Sequence, residues 1–173
     1  DYVFNLATIA LPFSFKFPRK TFETNIKIIL NLLELLKEKK FNSLCHFSTS
    51  EIYGTSIYAP MDENHPTYPT TTYASGKLAA DKALISYNKM FNLDAFIVRP
   101  FNNYGPRQLI SRNEIGVIPK TIKRIHLNKS PIIYGNGKQK RDFIYVKDTV
   151  DYIINSFTKI PPGHEVNICS NNP

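Results

Sequence analysis

Ser48-Thr49-Ser50-Glu51-Ile52-Tyr53-Gly54 follows a short apolar run, Leu44 to Phe47, and ends it with hydroxyls and one carboxylate. A short apolar run that stops at a polar cluster reads as a buried strand with a ligand-facing end. Downstream, Tyr73-Ala74-Ser75-Gly76-Lys77 opens a second periodic stretch, marked by Leu78, Ala79, Ala83 and Leu84. Its spacing predicts a helix from 73 to about 91. Tyr and Lys four apart share one face of a helix. An ammonium beside a phenol favours the phenolate, which would make Tyr73 a general base usable near neutral pH.

Elements of the same kind extend in both directions. Tyr2 to Leu6 reads as a buried strand. A helix starting at Thr21 or Thr24 and running to about Lys40 carries the stripe Ile26, Ile29, Leu30, Leu33 and Leu36. Ala95 to Val98 is a strand closed by Arg99-Pro100. Helices are expected near 117–127 and 146–158, with strands at 132–134 and 165–168. Strands alternating with helices predict an α/β fold, a parallel sheet with helices on both faces.

Two more polar stretches complete the set: Arg99-Pro100-Phe101-Asn102-Asn103-Tyr104-Gly105-Pro106-Arg107-Gln108, and Gly135-Asn136-Gly137 leading to Arg141-Asp142-Phe143-Ile144-Tyr145. In this order the four stretches resemble the extended short-chain dehydrogenase/reductase family. Within it, they look like the NAD-dependent nucleotide-sugar epimerases and dehydratases. The resemblance implies a partial Rossmann-type domain over 1–110 and part of a smaller substrate lobe over 111–173. It also implies a glycine-rich strand-turn-helix before residue 1 and a further substrate segment after residue 173. No G-x-G-x-x-G occurs in the chain itself.

In family terms Tyr73 takes the O4 proton of a nucleotide sugar while hydride passes from C4 to NAD. Lys77 holds the nicotinamide ribose, and Thr49 bonds the same sugar oxygen. Contacts to NAD are expected from Leu6, Ala7, Asn25, Phe47, Ser48, Tyr73, Lys77 and Pro100. Contacts to substrate are expected from Thr49, Ser50, Glu51, Asn102, Val117, Tyr134 and Arg141. A guanidinium fork suits diphosphate oxygens, the role of Arg141.

Glu51 discriminates among reactions. It stands two residues after Thr49, where the 4,6-dehydratases keep the base that removes the C5 proton. Thr49-Ser50-Glu51 is similar to the GDP-mannose and legionaminate-pathway dehydratases and to the UDP-glucuronate decarboxylases. The dTDP-glucose dehydratases carry Asp where this chain has Ser50, and commonly Lys at Gly116. Tyr73-Ala74-Ser75-Gly76-Lys77 departs from the Tyr-Asp-Glu-Gly-Lys common in decarboxylases. The expected activity is a 4,6-dehydratase, with 4-epimerase and decarboxylase as alternatives. A different class, a binding protein that keeps the fold without turnover, stands beside them.

Composition sets the remaining expectations. The 173 residues are 42% hydrophobic and 21% charged, ordinary for a globular chain. A net charge of +8 admits anionic ligands, but the cations are scattered. Lys37, Lys39 and Lys40 close a helix, where cations suit the dipole. No nucleic-acid partner is read from them. Cys45 and Cys169 are too few for a disulfide framework and suit a reducing cytoplasm. No membrane span or signal peptide is visible. The four His lack metal-ligand spacing, so no metal site is expected. The resemblance implies a homodimer through the helices at 21–40 and 73–91.

Overall fold

The computed structural model describes residues 1–108 and 116–172. Four parallel strands form the main sheet: β1 (Tyr2–Asn5), β2 (Ser43–Phe47), β3 (Ala95–Pro100) and β6 (Glu165–Ile168), adjacent in that order. A second pair, β4 (Asn102–Tyr104) and β5 (Phe143–Tyr145), is also parallel. The helices are α1 (Leu11–Ser14), α2 (Pro18–Lys37), α3 (Thr72–Phe91), α4 (Val117–His126) and α5 (Val146–Ser156). The architecture is the expected α/β one.

Alternation along the strands divides the core. Leu44, Ala95 and Ile97 face α2 and α3, packing with Ile29, Leu33, Leu36, Ala80 and Leu84. Cys45, Phe96 and Val98 face the other way, toward Ile153 of α5, Ile144 and Ile168. Both faces of β2 and β3 are therefore covered, which is why these strands read as continuous apolar runs. Each fully buried Leu or Ile contributes about 1.5–3 kcal/mol relative to exposure.

Helix α2 starts at Pro18, before either threonine proposed from sequence. Proline's fixed φ suits the first helical position, where its missing N–H is no loss. Helix α3 begins with Thr71, whose hydroxyl accepts from the Ala74 amide at 3.1 Å. It ends at Asn92 in the left-handed conformation, φ 50°. At Gly76 the two helices approach closely: an added Cβ would lie 3.2 Å from the Phe22 Cα.

Two expectations need correction. Strand β1 is not buried: Tyr2 is 54% and Phe4 40% exposed, covered only in part by edge-on contacts with Phe157. It lies at the end of the sheet order and stops at Asn5. Residues 132–134 form no strand; the whole run 131–140 is exposed, with no neighbouring strand among the described residues to take its hydrogen bonds. Conversely, Asn102–Tyr104, part of a polar stretch, is β4, because its backbone pairs with Phe143–Tyr145.

Segment 111–173 adds β6 to the main sheet, beside β3. The boundary placed between residues 110 and 111 lies outside the described residues. Among the described residues no helix is long and apolar enough to cross a membrane.

Candidate active site

The carboxyl ends of β1, β2 and β3 lie side by side, since Asn5 pairs with His46 and Phe47 with Val98. This brings Leu6 and Ala7, Phe47 and Ser48, and Pro100 to one edge of the sheet, where open α/β sheets bind ligands. Leu6 and Ala7 are exposed, and Phe47 and Pro100 are half-buried. Asn25 acts on this edge from α2. Its Oδ1 accepts from the Ile9 amide at 2.8 Å and the Thr8 hydroxyl at 3.2 Å, and its Nδ2 donates to the Ile9 carbonyl at 3.2 Å. Its amide thus shapes the loop after β1.

Thr49 follows β2 in extended conformation and caps a 3₁₀ turn, Ser50–Tyr53. Its hydroxyl accepts from the Glu51 amide at 3.2 Å. Ile52 and Tyr53, in the same turn, have no exposed surface. The Tyr53 hydroxyl donates to Asn167 at 2.7 Å and accepts from Arg99 at 3.0 Å. A buried anchor therefore fixes the turn, while Ser50 and Glu51 stay half-buried at its rim.

Lys77 is 3% exposed and donates to the Phe47 carbonyl at 2.6 Å. Burial lowers it to about 8, although the Asp81 carboxylate pulls the other way. Tyr73, one turn earlier, is half-buried. Its phenol is pushed up by burial, the neighbouring Thr49 side chain pulls it down, and Glu51 and Asp81 add to the rise. This corrects the expectation of a lowered phenol. Desolvation is the largest influence, and the Lys77 ammonium is directed at a backbone carbonyl.

A cavity of ≈ 530 Å³ opens beside the turn, with Ser50, Glu51, Asn102, Lys140, Arg141 and Asp142 among its lining residues. Asn102 donates to the Asp142 carbonyl at 2.8 Å, so it holds the segment that carries Arg141. The Asp142 carboxylate in turn accepts from the amides of Ser170 at 2.9 Å and Asn171 at 2.7 Å. The wall also includes Ser56, Ala59 and Pro60. His65 braces that loop: Nε2 accepts from the Ile57 amide at 3.1 Å, and Nδ1 donates to the Pro66 carbonyl at 2.8 Å.

Val117 and Tyr134 are not in the cavity wall. Val117 is 56% exposed on α4, and Tyr134 is 62% exposed with the Lys120 ammonium 4.7 Å from its ring centroid.

Sequence reading passed over Asp81 and Arg99, both buried behind the site and paired at 3.1 Å. The available signals were a carboxylate one turn beyond Lys77 and a cation at the end of an apolar strand. Among the described residues no cluster of His, Cys, Asp and Glu could hold a metal.

The profile of the NAD-dependent epimerase/dehydratase family matches residues 1–169. The chain belongs to this family. Among its relatives, the mouse dTDP-D-glucose 4,6-dehydratase is 36% identical over 140 residues, 81% of this chain and 38% of that protein. UDP-glucuronic acid decarboxylase 4 of Arabidopsis thaliana is 35% identical over 158 residues, 87% of this chain and 35% of that one. The solved UDP-N-acetylglucosamine 4-epimerase of Methanobrevibacter ruminantium superposes with a TM-score of 0.91 at 34% identity. It covers 98% of this chain and 55% of its own. The chain thus spans about half the length, or less, of these epimerase/dehydratase proteins.

The family is NAD-dependent, and the residues present fit the nicotinamide side of that cofactor. Lys77 keeps two N–H donors beyond its bond to Phe47, which suits a ribose diol beside Tyr73. The strand edge from Leu6 to Pro100 offers backbone and apolar surface to the rest.

Proposed function

We propose that the full-length protein is an NAD-dependent nucleotide-sugar 4,6-dehydratase. The observation that carries this reading is the place of Glu51. It lines the same cavity as Arg141 and Asn102, on a turn whose cap, Thr49, neighbours the Tyr73 phenol. A carboxylate so placed can reach a sugar carbon next to the one that Tyr73 serves.

The chain's residues divide the work. Arg141 and Lys140 pair with the diphosphate and set the sugar's depth. Thr49 and Tyr73 bond O4, and Tyr73 removes its proton. Lys77 holds the ribose and keeps positive charge near the phenol. NAD, held by Lys77 and the strand edge from Leu6 to Pro100, would supply the hydride acceptor for C4 and the hydride returned to C6. With a carbonyl at C4 the C5 proton becomes acidic, and Glu51 removes it. The proton taken by Glu51 leaves with the C6 hydroxyl as water, and hydride at C6 with a solvent proton at C5 completes the keto sugar.

Two other outcomes of the same site have specific support. The likeness to the archaeal 4-epimerase favours simple inversion at C4, and the likeness to the plant decarboxylase favours loss of the C6 carboxylate. Mass spectrometry separates the three in one assay. Nucleotide hexoses, N-acetylhexosamines and UDP-glucuronate are incubated with the full-length protein. Loss of water supports the dehydratase, unchanged mass with a new sugar supports the epimerase, and loss of carbon dioxide supports the decarboxylase.

Homodimerisation through α2 and α3 belongs to the same reading. The two helices pack on each other and leave Phe22 and Leu35 of α2, and Met90 and Phe91 of α3, exposed. Sedimentation equilibrium tests it. A monomer at micromolar concentration would remove it.

A further inference from the structure

Three groups converge on Asp81, a residue with no exposed surface one helical turn beyond Lys77. Ser48 Oγ donates to Asp81 Oδ2 at 2.9 Å. Arg99 donates to the same oxygen from Nε at 3.2 Å and from Nη2 at 3.1 Å. The other oxygen, Oδ1, lies 3.8 Å from His46 Nε2, too long for a hydrogen bond, and neither atom has another partner among the described residues. The Asn5 amide nitrogen stands 3.0 Å from His46 Nδ1. With that amide donating, the neutral ring carries its proton on Nε2, toward Asp81. Burial, with the Lys77 charge, holds His46 in the neutral form.

A buried Asp–Arg pair alone adds little to a fold, because desolvation offsets attraction. Here there is a second cation. Among the described residues Lys77 has one protein hydrogen bond, to a neutral carbonyl. Arg99 already shares a second carboxylate, Glu165, at 2.6 Å. Two buried cations therefore stand against Asp81 and the partly exposed Glu165. Asp81 is the carboxylate that raises Lys77 against its burial.

We propose that Asp81 is a positioning residue of the Tyr73–Lys77 pair, the buried counter-charge that seats the Lys77 ammonium at the carboxyl end of β2. Its catalytic consequence rests on the role of that pair given under Proposed function. The groups facing Lys77 and Asp81 are His46 from β2, Ser48 just after it, Arg99 from β3 and Glu165 from β6. From the 3₁₀ turn, Tyr53 bonds Arg99 and Glu51 acts on the Tyr73 phenol, and Tyr73 lies on the same helix. Among these, burial brings Asp81 up to about 6, against the pull of Arg99. Its carboxylate is thus present wherever the pair works near neutrality.

The test is NMR of the full-length, NAD-loaded protein labelled with ¹³Cε-lysine, Lys77 being assigned by its loss in Lys77→Arg. The wild-type Lys77 resonance should show a main step near 8 and a smaller one near 6 as Asp81 protonates. Asp81→Asn should abolish the smaller step and move the main one acidward by about one pH unit. Asp81→Glu should restore most of it. The alkaline limb of the kcat profile should move with the Lys77 step. Two results overturn the proposal: a folded Asp81→Asn protein with unmoved Lys77 titration, or a moved titration with an unmoved kcat limb. If Asp81→Asn fails to fold, the wild-type trace decides, because a flat Lys77 signal between pH 5 and 7 also overturns it. The NMR readout needs no turnover, so an inactive wild-type protein would sink the dehydratase reading and leave the charge role still decided.

Discussion

Lys77 donates to the Phe47 carbonyl at 2.6 Å, and this bond ties the helix that bears Tyr73 to the strand end that bears Thr49. Two elements that are distant in sequence thereby hold one site geometry. The bond closes over a lysine that burial brings down to about 8.

That lysine makes stability depend on pH. Its folded value lies below the ordinary 10.5, so the unfolded chain binds more protons between the two. Stability should therefore rise with pH through that window, and the burial cost is full below about 8. Lys77→Met carries no such charge. Its stability advantage over wild type, measured by urea unfolding of the full-length protein, should shrink by about 2–3 kcal/mol between pH 7.5 and 10. An advantage independent of pH would mean that Lys77 is not buried as a cation.

Arg99→Met should be severe. It removes the partner that Asp81 meets at 3.1 Å and Glu165 at 2.6 Å. Leaving a buried carboxylate without its cation costs about 3–5 kcal/mol. The adjacent Tyr53 hydroxyl also loses its donor, so the turn carrying Glu51 should loosen. Chemical denaturation gives the first effect, and hydrogen exchange of residues 50–53 gives the second.

Gly54→Ala tests the wall of the cavity. Gly54 has φ +68°, and an added Cβ would fall 2.1 Å from the Tyr68 carbonyl oxygen. The left-handed backbone alone costs a non-glycine residue about 1–3 kcal/mol, and the clash displaces the loop. Loss of that stability together with weakened nucleotide-sugar binding in calorimetry is the expected pair of outcomes. An alanine variant of wild-type stability would mean that the turn relaxes freely.

The main sheet was legible because β2 and β3 are covered on both faces and so read as unbroken apolar runs. The 132–134 run is also apolar, yet among the described residues no neighbouring strand takes its backbone bonds. Strand β4 was hidden for the opposite reason: Asn102-Asn103 reads as a turn, and only pairing with the remote Phe143-Ile144 makes it a strand. At the site, local spacing gives Thr49 and Glu51 on one turn and Tyr73 and Lys77 on one helix, while the roles expected of them rest on the family resemblance. Asp81 and Arg99 were not, since their partnership spans different elements and each looks alone like a surface charge. The Tyr73 phenol was misjudged for a related reason. Spacing gives the neighbour Lys77 but not the degree of burial.

The most direct measurement of the central claim compares Glu51→Gln with Tyr73→Phe in the full-length protein. Tyr73→Phe removes the O4 base, so C4 oxidation and water loss should fall together by about 10²–10⁴-fold. Glu51→Gln leaves Tyr73 and Lys77 in place and removes the C5 base. It should still give transient NADH absorbance, with no dehydrated keto sugar and no solvent deuterium at C5. Dehydration by Glu51→Gln at the parental rate would contradict the account, because Glu51 would not be the elimination base.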